Sequence, residues 1–315
     1  MAIILMLRHL GPGPHPSGTP QAVHGKKSAD QFVAPAVSAA QAPVAQPAAV
    51  PVAVQPVAQG QPTVPVPFKF AATKSAEMYV TTHKLAQKAI LAGCNPDTAA
   101  NIVRALEEVS KKCGVKPLAL LTTSSEIPGK GTAMVTGTAD GEGTMSVDAD
   151  DFVRLAGPDG VYDRTVVHWD SLRKDRAKVA RREQQLMDKE FGKVDKGARA
   201  MMEADLAEEA KYNRFSVAYK GTGTDTVVYH EFGHYIYNLA RYFSGNASDF
   251  ENTWARNVGQ MLEDKSIYNV SLYGGRSGHH EAFAESFVMY MYGEKDKLPK
   301  YATDFIDHAL WLARH

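Results

Sequence analysis

His230, Glu231 and His234 stand in the run Val227-Val-Tyr-His-Glu-Phe-Gly-His-Tyr-Ile236, an H-E-x-x-H pattern. On a helix, positions i and i+4 lie about one turn apart on one face. Two imidazoles so placed can bind one Zn²⁺ through ring nitrogens, and the glutamate beside them can take a proton from metal-bound water. A catalytic zinc takes three protein ligands and keeps a fourth position open. The rest of the site is expected in Ser277-Gly-His-His-Glu-Ala-Phe-Ala-Glu-Ser-Phe-Val-Met-Tyr290, where Glu281 and Glu285 again stand four apart. Two carboxylates on the core side of an apolar helix are costly without a partner. A metal and its histidines are such a partner. Glu281 can ligate, and Glu285 can hold a ligand histidine by its other ring N–H. His279 and His280 compete with Glu281 as third ligand; otherwise they face solvent or line the cleft.

His230-Glu-Phe-Gly-His234, then Ser271-Leu-Tyr-Gly-Gly-Arg276, then Glu281-Ala-Phe-Ala-Glu285, together resemble the gluzincin peptidases, and among them the catalytic domain of the anthrax lethal factor family. The resemblance runs over residues 225–312, through the last helix. It implies a zincin-like metallopeptidase domain with zinc on His230, His234 and Glu281. It makes Glu231 the general base and puts Glu285 behind a ligand histidine. Tyr273 would donate a hydrogen bond to the tetrahedral intermediate or the leaving group. The spacing from Tyr273 to Glu281 is one residue longer than in that family, so Tyr268, His279 and His280 compete for this role. The metzincin pattern fails: it needs Gly and His three and six residues after the second histidine, where Tyr237 and Ala240 stand. The implied activity is a zinc-dependent endopeptidase, with Glu231 assisting attack of zinc-bound water on a peptide carbonyl.

The elements that must position these residues can be read from pattern. The class expected is α+β, with a mixed sheet packed on the helix that carries H-E-x-x-H and further helices around it. Thr224 and Asp225 follow a Gly-rich turn and offer caps for that helix. Helices are expected over 75–92, from Asn95-Pro96-Asp97 to Lys112, and over 225–243, 248–264, 279–292 and 300–313. Asn95 is the cap and Pro96 sits in the first turn. Pro117 to Leu121 reads as a buried strand. Two short runs, Ala133-Met-Val-Thr-Gly137 and Thr144-Met-Ser-Val-Asp148, flank a Gly/Asp cluster and read as a β-hairpin. An extended substrate could add to an exposed edge of that hairpin. Residues 171–212 are charged and helix-permissive, and read as one or two surface helices broken near Gly192 or Gly197. Trp169 and Trp254 read as core or interface residues rather than site residues.

The chain divides into a motif segment (1–32), a linker (33–67) and a domain (68–315). The domain subdivides at 68–170, 171–212 and the catalytic part 213–315. The linker uses only Ala, Val, Pro, Gln, Ser, Thr and Gly, and holds 8 of the 17 prolines. Proline at that density blocks helix and sheet ladders, so the expectation is a disordered, polyproline-like tether. Gly11-Pro-Gly-Pro-His-Pro-Ser-Gly-Thr-Pro-Gln-Ala-Val-His-Gly25 resembles a short motif of phage head-associated proteins. That resemblance implies a phage or prophage product, with head or portal proteins as partners beside a peptide substrate. The second reading is therefore a virion morphogenesis protein whose zinc site is structural or vestigial. Lys plus Arg and Asp plus Glu are both 35, which argues against a general nucleic-acid binder. The 2 cysteines make no disulfide framework and suit buried thiols. No apolar run spans a bilayer, and Met1–Leu7 lacks the basic flank of a signal peptide. The expected location is cytoplasmic or virion-associated, with no membrane partner.

Overall fold

A local signal in the sequence starts the best-defined helix of the first half. The Asn95 side chain accepts the Thr98 N–H at 2.7 Å, and Pro96 occupies the first turn, where its missing N–H is no loss. The helix, α2 (Pro96–Cys113), ends at Gly114, whose φ of 63° lets its N–H reach back to Ser110. These features belong to a computed structural model. It describes residues 69–123, 134–139, 142–148, 160–167, 169–171, 182, 185, 189 and 196–315. The expectations for residues 1–67 lie outside that set, as does most of the charged stretch before residue 196.

Ahead of α2 lie α1 (Thr73–Thr82) and strand β1 (Ala86–Ile90). The single helix expected over 75–92 is thus two elements. β-Branched Thr81 and Thr82 weaken the helix, and Lys84 adopts a φ of 55°, which turns the chain out of it. Leu85 is then buried just ahead of the strand, and Ala86 and Ala89 within it, a pattern too short to distinguish from a helix by period.

The strands β2 (Leu118–Thr123), β3 (Met134–Ala139) and β4 (Glu142–Val147) complete a four-stranded mixed sheet in the order β1-β2-β4-β3. β1, β2 and β4 run parallel, with Ala86 opposite Leu118 and Leu121 opposite Met145. β3 is antiparallel to β4 and lies at the edge, with Met134 opposite Val147. The expected hairpin is therefore present. Met134 is buried in the core, so truncating it would test packing rather than substrate binding.

The second half is helical: α3 (Lys196–Glu209), α4 (Gly223–Phe243), α5 (Ala247–Glu263), α6 (Ile267–Val270), α7 (Leu272–Arg276), α8 (His279–Met291) and α9 (Lys300–Arg314). Gly197 lies within α3, and the break expected near Gly192 falls outside the described residues. α4 is the central helix. It packs on β3, α2, α8 and α9, and is buried on nearly every face, as an apolar helix inside a domain must be. Its start differs from the expectation: Thr222 is the cap position, and Asp225 lies inside the first turn, paired with Arg104. There its charge meets the positive end of the helix dipole.

Two glycines set how closely α4 approaches its neighbours. A Cβ on Gly233 would stand 3.0 Å from the Ala284 Cα of α8, and one on Gly143 of β4 would stand 2.4 Å from the Tyr235 ring. Trp254, Phe283 and Phe305 knit α5, α8 and α9 together, with ring centroids 5.3 and 5.0 Å from Trp254. Each fully buried ring contributes roughly 1.5–3 kcal/mol through the apolar surface it removes from water. Trp169 and Trp254 are both core residues, as expected. Cys94 and Cys113 are buried free thiols; burial pushes them up to about 11 and about 12, which keeps them protonated and unreactive. Among the described residues no helix is long and apolar enough to cross a membrane.

Candidate metal centre

α4 and α8 face each other across the site. α4 presents His230 and His234 one turn apart, and α8 presents Glu281 and Glu285 one turn apart. His230 Nε2 lies 3.0 Å from Glu281 Oε2 and 3.2 Å from His234 Nε2. His234 Nε2 lies 3.3 Å from the same Glu281 oxygen. Three donor atoms thus form a nearly equilateral triangle. Zinc ligands at about 2.0–2.1 Å in a tetrahedron stand roughly 3.3 Å apart, so the triangle fits such an ion. Glu231 belongs to the same cluster: His230, Glu231 and His234 offer ligand atoms all within 4.8 Å of one another. This group could hold a metal ion.

Glu285 is fully buried, and its carboxylate has three donors. His230 Nδ1 lies 2.9 Å from Oε1, the Ser216 hydroxyl donates to the same oxygen at 2.9 Å, and the Val217 N–H donates to Oε2 at 2.5 Å. With its Nδ1–H directed at Glu285, His230 turns Nε2 toward the donor triangle.

Electrostatics favour a cation here. Burial disfavours a charged His230, but hydrogen bonds to Glu281 and Glu285 outweigh it and lift the imidazole well above its ordinary value. Burial likewise works against an ionised Glu281, yet the two imidazoles hold its carboxyl far below the usual range. Positive charge between these groups is strongly stabilised. Glu231 differs: burial pushes its carboxyl up, only partly opposed by the neighbouring histidines. A carboxylate with a raised pKa beside the triangle is suited to accepting a proton.

Tyr273, on α7, has its ring centroid 6.1 Å from that of His230. Burial pushes its phenol up, and the Glu281, Glu285 and Glu231 carboxylates add to the shift, so the hydroxyl stays a donor. The competitors face elsewhere. The Tyr268 hydroxyl donates to Glu208. His280 packs 4.6 Å from the Tyr237 ring with Nε2 3.8 Å from Glu251. His279 sits against His280 and Tyr237, with its Nε2 buried and without a hydrogen-bond partner among the described residues. The group that could hold a metal ion among the described residues is His230, Glu231 and His234, and neither of these two imidazoles is in it.

Three contributors were not foreseen. Ser216 and the Val217 amide hold Glu285, and the Thr136 hydroxyl of β3 donates to the Glu231 carbonyl at 3.0 Å. A backbone amide carries no side-chain signature, and a lone serine or threonine has no periodicity to mark it. Comparison with family models, with curated proteins and with solved structures returns no match to this chain.

Proposed function

We propose that this chain is a zinc-dependent endopeptidase of the gluzincin type, built on a zincin-like domain. The observation that carries this is the donor triangle of His230, His234 and Glu281, backed by Glu285 on the far ring nitrogen of His230. A site meant only to bind metal structurally would close all four positions, commonly with Cys or His, and would need no free Glu231.

When bound, zinc supplies Lewis acidity to a substrate carbonyl and lowers the pKa of a coordinated water to about 7. The protein's own groups do the rest. Glu231 takes the proton of the attacking water and passes it to the leaving amine. The protonated Tyr273 phenol donates a hydrogen bond to the oxygen on which negative charge develops. Strand β3 lies against α4, and its outer side, which has no partner strand among the described residues, can accept an extended peptide as an added strand.

The test is metal content and peptidase activity of purified wild type beside Glu281→Ala and Glu231→Gln. One zinc per chain is expected in wild type. Glu281→Ala loses or loosens it together with activity. Glu231→Gln keeps zinc and loses turnover by about 10²–10⁴-fold. Equal zinc binding by wild type and Glu281→Ala would move the third ligand to His279 or His280. A wild type with neither zinc nor activity would leave the virion morphogenesis protein as the better account.

A further inference from the structure

The segment just before α4 is strapped to the chain that carries Tyr273. Asn213 N–H donates to the Tyr268 carbonyl at 3.0 Å, and the Leu272 and Tyr273 N–H groups donate to the Arg214 and Phe215 carbonyls at 3.0 and 2.8 Å. Arg214 reinforces the strap through Nε to the Val270 carbonyl at 2.9 Å. The next two residues, Ser216 and Val217, turn their donors onto Glu285 at 2.9 and 2.5 Å. One backbone strap therefore fixes both Tyr273 and the carboxylate behind His230.

Glu285 is 0% exposed, so no water can replace a missing donor without rearrangement. Its Oε1 is shared by the Ser216 hydroxyl and the His230 ring, whereas Oε2 is taken by the Val217 amide. The amide alone fixes one oxygen and leaves the carboxylate free to pivot about it. The Ser216 hydroxyl is the second point that removes this pivot. We infer that Ser216 is a positioning residue of the metal centre: it locks Glu285 in the plane that keeps the His230 Nδ1–H engaged and Nε2 aimed at the ion. The inference rests on the zinc reading above and extends it to a residue outside every motif in the sequence.

Zinc affinity of the full chain, measured by competition with a chromogenic chelator, tests this, with the melting temperature in EDTA recorded for each variant. Ser216→Ala is expected to weaken zinc binding about tenfold, as removal of groups behind metal ligands does. Its melting temperature in EDTA should fall by only a few degrees, the cost of one lost donor to a buried carboxylate, so that affinity is read on a folded chain. Ser216→Thr, which keeps the hydroxyl, restores the affinity. Ser216→Cys, a weaker donor of similar size, falls between. Ser286→Ala is the control: this hydroxyl is fully buried, adjacent in sequence to Glu285 and without a hydrogen-bond partner among the described residues, so its loss leaves zinc affinity unchanged. Wild-type affinity in Ser216→Ala, or in Ser216→Cys should the alanine chain not fold, would overturn the inference and leave the peptidase reading standing. Equal loosening by Ser286→Ala or by Ser216→Thr would also overturn it. A wild-type chain that binds no zinc would instead remove the reading beneath it.

Discussion

At the scale of single residues, the proposed peptidase would separate ligands from chemistry. His230, His234 and Glu281 approach one another within 3.0–3.3 Å, whereas Tyr273 stands beside this triangle as a protonated phenol, its hydroxyl near the Glu281 carboxylate and its ring 6.1 Å from the His230 ring, and offers no ligand atom. Tyr273→Phe should therefore leave the zinc dissociation constant at its wild-type value. It should lower kcat by about a hundredfold or more, the usual cost of one donor to a developing oxyanion. Steady-state kinetics beside a zinc titration check both halves. An undiminished kcat would remove Tyr273 from the reaction, and weakened zinc binding would make it part of the ligand shell. The residues that could be found from sequence share one property: i, i+4 spacing on a helix, which projects two side chains to one place. Glu281 and Glu285 could be found this way, as could His230 and His234. Ser216 could not, because it meets Glu285 through a turn of chain whose path only the folded backbone defines.

At the scale of elements, the site depends on how closely α4 and α8 approach. Gly233, between the two histidines, lets the helices meet at a backbone-to-backbone contact that a Cβ would narrow to 3.0 Å from Ala284 and 3.2 Å from Phe287. Gly233→Ala must push α8 outward by a few tenths of an ångström or strain the Phe287 rotamer. Glu281 moves with α8 and would leave the triangle too wide. The expected result is a loss of about 1–3 kcal/mol in unfolding free energy, the range for overpacked cores, together with weaker zinc binding. Denaturant melts in EDTA and in zinc measure the two effects separately. Wild-type zinc affinity in this variant would mean that the ligand geometry does not depend on the helix contact. Most helices were legible because caps and 3.6-residue periodicity are local; Asn95-Pro96 and Gly114 bracket α2 unaided. β1 was not legible, since Ala86–Ile90 becomes a strand only by pairing with Leu118–Thr122, some thirty residues onward. Likewise, the parallel order β1-β2-β4 is a long-range outcome that no local pattern states.

At the scale of the molecule, zinc would join two helices whose ligands lie far apart in sequence, His230 and Glu281. Binding to the folded state alone stabilises it by RT ln(1 + [L]/Kd), about 2.7 kcal/mol at a hundredfold excess over Kd. For a domain of this size that corresponds to a rise of about 5–10 °C in melting temperature. The buried core among the described residues runs from Ala76 to Ala313, and the proline density of residues 33–67 disfavours helix or sheet there. A chain beginning at Phe68 should therefore melt where the full chain does and show the same rise with zinc, while Glu281→Ala shows little rise in either. Differential scanning calorimetry with zinc and with EDTA reads all of these. A full chain whose melting temperature ignores zinc would break the link between the donor triangle and the fold. A shortened chain that melts lower than the full one would show that residues 1–67 contribute to the domain after all.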